Sequence, residues 1–279
     1  MKSRIKKEVL YNPVSIVIVI IVIVTLLSPY LAPYDPLQID LDSISQPPST
    51  KHIFGTDNKG RDILSRVLYG ARISIVIGIA VTAISVIIGL IFGVISGYSG
   101  GRLGTMMVAL IDLSLSFPAL LLAIGISVVM PPGAATVVIA LVAVGWASFA
   151  RLVRGMVISL KEAQYIEAAR ASGASTVRIL IHHTLPQCIP LVIVTGSLRI
   201  GGFILAESAL SFLGIGIQPP TPTWGSMVSL NRIYIYSAPW MVIFPGLAIT
   251  ITVVAFNLFG DKLRDLIDPK SDTTKKSIN

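Results

Sequence analysis

A single cysteine in 279 residues, Cys188, cannot form an internal disulfide, so the redox compartment is not readable from cysteine usage. Charge is scarce as well. Charged residues make up 13% of the chain, about half the ~25% of soluble domains, whereas apolar residues reach 53% and the mean hydropathy is +0.81. That balance excludes a soluble enzyme, a disordered tail and a disulfide scaffold. The chain has no G-x-x-x-x-G-K-[ST] loop to cradle nucleotide phosphates and no H-E-x-x-H pair to hold a metal. Segments of ~10 strictly alternating residues are missing too, which removes a membrane barrel and leaves helices as the way to satisfy a backbone in lipid.

What is present is a series of long uncharged runs. Crossing ~30 Å of hydrocarbon takes roughly 20 helical residues. Val9 to Tyr34 and Ile73 to Gly101 are free of charge, as is Ile233 to Gly260, and Leu185 to Leu213 holds only Arg199 and Glu207. The run Leu113 to Ala150 is too long for one crossing and is divided by Pro131, Pro132 and Gly133, whose turn chemistry ends one helix and starts another. The sequence therefore predicts an all-α polytopic membrane protein with six spans, near 9–30, 73–98, 104–130, 134–157, 187–213 and 239–260. The organisation that follows is 1–34 as N-terminus and first span, 35–72 as an external loop, 73–265 as a five-helix core and 266–279 as a tail. The first span has the charged and apolar regions of a signal peptide, but it lacks an A-x-A cleavage site and five more spans follow, which predicts that it is retained.

Lys and Arg set the orientation. With a cytoplasmic N-terminus, the inner segments hold fifteen: Lys2, Arg4, Lys6, Lys7, Arg102, Arg151, Arg154, Lys161, Arg170, Arg178, Lys262, Arg264, Lys270, Lys275 and Lys276. The outer segments hold six: Lys51, Lys59, Arg61, Arg66, Arg72 and Arg232. Both termini are thus expected in the cytoplasm. The net charge of +8 reads as a topology signal rather than a nucleic-acid surface.

Helices in lipid associate where small residues let backbones approach. Gly89, Gly93 and Gly97 recur every fourth residue on one face of the second span, a seat for another helix of this chain or of a second membrane subunit. Pro118, and Gly201 with Gly202, mark kinks, close crossings or hinges. Three charges fall inside spans: Asp112, Arg199 and Glu207. Each costs ~2.5 to 3.5 kcal/mol at a helix centre unless it faces protein or water. Counted up from the inner ends of their helices, Asp112 and Arg199 are placed at similar depths, so the two are expected to pair across the solute path or as a structural ion pair, the alternative being separate bonds to backbone. Glu207, about 80° around the helix from Arg199, is not expected to join them.

Between the fourth and fifth spans, Lys161 to Gly173 favours helix, mixes charged with small residues and stops at a glycine suited to a C-cap. Ser175 can cap a second short helix running to Leu185-Pro186. The spacing Glu167-Ala168-Ala169, then Gly173, then Leu185-Pro186 resembles the EAA loop of ATP-binding cassette importer permeases, with His183 departing from the usual apolar residue. The resemblance implies that this loop, 158–186, is a coupling helix seated on a separate ATPase through Glu167, Ala168, Ala169, Arg170, Gly173, Leu185 and Pro186. The alternative is an amphipathic loop lying on the membrane.

The resemblance covers nearly the whole chain. Phe54 to Asp62 with Ser65-Arg66 and Gly70-Ala71-Arg72, Leu210 to Gly214, Gln218 to Gly225, and Phe256-Asn257-Leu258 with Gly260-Asp261 and Leu263-Arg264-Asp265 are similar to the second permease of dipeptide, oligopeptide and nickel importers. By apolar spacing, residues 61–75 are expected to form an amphipathic helix at the outer interface. There Arg61, Asp62 and Arg66, together with Trp224 of the Pro-rich segment 218–224, are candidates either to touch a solute-binding protein or to anchor the chain. His182 and His183 project about 100° apart and make a poor metal pair, so they are expected to border the ATPase or the headgroups. His52 reads as an ordinary exposed loop residue. No catalytic or metal-binding residue is expected.

The implied assembly holds two related permeases, two ATPases that carry the ATP and magnesium, and an external solute-binding protein, all at the cell membrane. Dipeptides or oligopeptides are the expected cargo, with nickel or a metal chelate as the alternative. An ion-coupled secondary transporter would use inverted repeats, which the sequence lacks. An intramembrane hydrolase would need a nucleophile or metal ligands.

Overall fold

A computed structural model describes residues 13–267. The start of the first span at 9–12, the basic residues Lys2 to Lys7, and Lys270, Lys275 and Lys276 of the tail lie outside them.

Among the described residues the chain is helical, with one isolated β-bridge between Thr56 and Asp62. Helix α1, Pro13–Leu31, opens with a proline, whose missing N–H costs nothing at a first turn. Its narrow buried face of Ser15, Ile18, Thr25 and Ser28 rests on the bundle, and the Ile and Val residues around it face outwards as lipid requires. An irregular cap, residues 32–62, follows.

Helix α2, Ile63–Tyr98, is the central post, touched by every other long helix. The expected separate interfacial helix over 61–75 is not there: α2 runs unbroken for 36 residues, about 54 Å. Its first turns stand inside the cap because the Asp62 carboxylate caps it, accepting from the Ser65 N–H and Oγ–H at 2.8 Å each. Helix α5, Ala134–Lys161, lies along α2. Side chains added at Gly89, Gly93 and Gly97 would collide with Phe149, Val153 and Val157 of α5, so the glycine seat is filled from within this chain.

The expected third span is broken. Helix α3, Gly101–Ser116, and helix α4, Ala119–Val129, meet at 87°. Pro118 holds Phe117 in an extended conformation and cannot continue the hydrogen-bond ladder. After α5 come two short helices, α6, Gln164–Ala171, and α7, Thr176–Ile179. The expected stop at Leu185-Pro186 does not occur: α7 passes through a π turn at Leu180–Thr184 into α8, Leu185–Phe212. The wider turn accommodates the Pro186 ring, which a regular helix would drive against the carbonyl four residues back. Gly201 lies 3.1 Å, measured from an added Cβ, from the Val253 carbonyl of the last helix, while Gly202 faces open space, which makes Gly201 a close crossing. A capped helix, α9, Trp224–Asn231, and the last span, α10, Trp240–Ile267, complete the chain. The bundle has a cap end, carrying residues 32–62, and a hairpin end, carrying α6 and α7.

Candidate coupling hairpin and intramembrane charges

Helix α6 ends in a Schellman motif. The Ala174 N–H bonds the Ala169 carbonyl at 3.1 Å, the Gly173 N–H bonds the Arg170 carbonyl at 3.0 Å, and Gly173 takes φ +81° between them. The Ser175 hydroxyl then accepts from the Arg178 N–H and starts α7. The result is a two-helix hairpin turned at one glycine. Ile166 and Ile179 are buried and pin it to the bundle. Its outer surface presents Glu167, Ala168 and Arg170 together with large apolar side chains, Tyr165, Val177 (63% exposed) and Ile181. Among the described residues nothing covers them. Leu185 is half-buried and Pro186 exposed at the root of α8. His182 is exposed, His183 half-buried, and both ride the π turn.

Asp112 does not pair with Arg199. Its carboxylate accepts from Arg151 Nη2 at 2.7 Å, and both side chains remain more than half exposed. The reason is height on the central post. Arg151 lies beside the stretch of α2 between Gly89 and Gly93, where Phe149 and Val153 pack. Arg199 lies beside the stretch between Gly78 and Val86, which meets Ile204 and Gly196. Counting from helix ends missed this offset, and Arg151, taken as a topology marker, is the functional-looking residue sequence reasoning missed. Glu207 is fully buried and accepts from Ser211 at 2.8 Å, Ser74 at 3.0 Å and Ser208 at 3.4 Å. Ser211, one turn on, was the legible part of that cradle; Ser74 comes from α2.

The cap reverses four expectations. Arg61, Asp62, Arg66 and Trp224 are all buried and unavailable to a receptor or to headgroups. Asp57 draws the arginines inwards, with Arg61 Nε at 2.7 Å and Arg66 Nε at 3.6 Å, while Arg66 also donates to the Pro36 carbonyl. Trp224 packs against Gly70 and donates its indole N–H to the Val67 carbonyl at 3.0 Å. His52 is likewise buried, its Nδ1 3.0 Å from Asp62. At the cap surface, hydrogen bonds from Ser43 and from the Asp42 N–H hold the Asp40 carboxyl below its ordinary pKa.

Residues 89–273 match the family described as binding-protein-dependent transport system inner membrane component. The chain belongs to that family. The match takes in both α2 glycine seat and hairpin. The di/tripeptide transport system permease protein DppC of Pseudomonas aeruginosa is 42% identical over 257 residues, 90% of this chain and 85% of that one. The oligopeptide transport system permease protein OppC of Bacillus subtilis is 41% identical over 255 residues, 91% and 84% of the two chains. A solved inward-facing structure of the MetNI methionine ABC transporter aligns with a TM-score of 0.59 at 19% identity, over 73% of this chain and 96% of its own, a likeness of fold. The chain is accordingly a multi-pass plasma-membrane transport permease with the fold of ABC importer permeases.

Proposed function

We propose that this permease imports dipeptides or oligopeptides, and that the Gly173 hairpin is where a separate ATPase drives it. The observation that carries the coupling assignment is the hairpin's outer surface. Tyr165, Val177 and Ile181 are large, apolar and exposed, and they share with Glu167 and Ala168 a two-helix unit at one end of the bundle. Such a patch suits a protein groove: small side chains allow close approach and the apolar ones fill pockets. The cargo assignment rests on the relatives, which are permeases for di/tripeptides and oligopeptides. In this reading the hairpin end is cytoplasmic and a second, homologous permease completes the path. A solute-binding protein delivers at the cap end. ATP and magnesium stay with the partner ATPases, and the chain itself catalyses no reaction.

The test is a photo-cross-linker placed at Val177 in the assembled transporter, with peptide uptake assayed in parallel. Capture of the ATPase subunit is expected, and Glu167→Lys or Gly173→Asp is expected to abolish uptake while membrane insertion stays normal. Uptake at wild-type rate in both variants contradicts the assignment.

A further inference from the structure

The Arg199 side chain is exposed and lies well inside α8, and no hydrogen bond or ion pair joins it to another described residue. At 100° per residue it projects between the side of α8 that meets α10, through Leu198 and Gly201, and the side that meets α5, through Phe203. Arg151 projects from α5 between the side that meets α3, through Ala147 and Ala150, and the side that meets α8, through Gly145. The two guanidiniums therefore flank the contact between α5 and α8 on the same side of the bundle, away from α1. By the heights on α2 given above, Arg199 is the nearer to the cap end by on the order of 10 Å.

We propose that this side is a wall of the solute path and that Arg199 takes the carboxylate of a passing solute, with Arg151 as the next station towards the hairpin end. The proposal rests on the importer reading and names the chemistry that its path selects. The room is there: Gly202, one turn above Arg199, is exposed, and a Cβ on it would meet nothing within 4 Å. The charges also fall in a useful order. Arg199 is uncompensated, so an anion arriving from the cap end is attracted. Arg151 already carries Asp112 at 2.7 Å, so the attraction is weaker at the second station and the anion is free to leave. A path must bind well enough to admit and weakly enough to release.

The experiment uses the complete transporter in proteoliposomes, with Cys188→Ala to remove the native thiol and Gly202→Cys to report on the site. Two water-borne methanethiosulfonates are compared, one bearing a sulfonate and one a trimethylammonium group, each normalised to its rate with a free thiol. A preference of about tenfold for the anionic reagent is expected. Arg199→Gln should erase it, and Arg199→Lys should keep it. Equal rates overturn the proposal. So does a thiol that reacts only with a lipid-soluble maleimide, which would place the face in lipid, or one that cross-links to the partner permease, which would make it a subunit interface. ATP-dependent dialanine uptake by the same unlabelled assembly separates the two levels. Uptake without an anion preference defeats only the carboxylate station, whereas no uptake of any di- or tripeptide by the wild-type assembly defeats the importer reading.

Discussion

Asp57 sits at the centre of the cap, where its Oδ1 accepts the backbone N–H groups of Lys59 and Arg61 and its Oδ2 faces Arg61 and Arg66. A buried carboxylate so surrounded leaves two buried guanidiniums without a counter-charge when it is removed, a loss of about 3 to 5 kcal/mol for a broken buried pair. Asp57→Ala is therefore expected to lower the thermal unfolding midpoint of the purified assembly and to expose the cap to protease, readable by scanning fluorimetry and limited proteolysis; an unchanged midpoint would contradict the role. Gly60 shows the same economy of design. It takes φ +72°, and any side chain there would overlap the Asp40 carbonyl. The run Phe54 to Asp62 is legible in the sequence as a signature, and its charges suggest a surface. They are instead the internal fastening of a loop, because Asp57 and Asp62 lie close enough in space to hold Arg61, Arg66 and His52 inside.

Among the elements, the pairing of α2 with α5 is the most extensive. It depends on three glycines that let Phe149, Val153 and Val157 sit against bare backbone. Gly93→Ile places a branched side chain where Val153 already stands, and overpacking of this kind costs typically 1 to 3 kcal/mol. The expected outcome is a sharp fall in folded, detergent-extractable protein, measured by size-exclusion fluorescence. Gly202→Ile, facing open space, should leave that yield unchanged, and equal yields from both would refute the seat. The repeat at four-residue spacing is visible in the sequence, but not which helix fills it. Prolines are only half legible for a similar reason. Pro118 breaks its helix by 87° whereas Pro186 is absorbed in a π turn, and the difference lies in whether neighbouring turns can widen.

At the scale of the whole molecule, the helices divide the surface into a cap end and a hairpin end with a charged side between them. In the proposed reading, the Lys and Arg asymmetry puts the hairpin end in the cytoplasm. In intact cells, a membrane-impermeant maleimide should label Tyr236→Cys, which is 98% exposed near the cap, and should reach Val177→Cys only after permeabilisation. The opposite pattern would invert the orientation. Composition and the charge-free runs by themselves determined a helical membrane protein, and the turn signals around Gly173 located its hairpin, because crossing lipid and turning a helix at a glycine are local demands written in consecutive residues. The permease reading came from the resemblance of the Glu167 to Gly173 spacing to a known loop. Only the tertiary structure decided that Asp112 meets Arg151 rather than Arg199, that the cap charges point inwards, and that Glu207 rests among serines. Those outcomes depend on the relative heights and rotations of helices far apart in the chain, and the spacing within any one helix does not contain them.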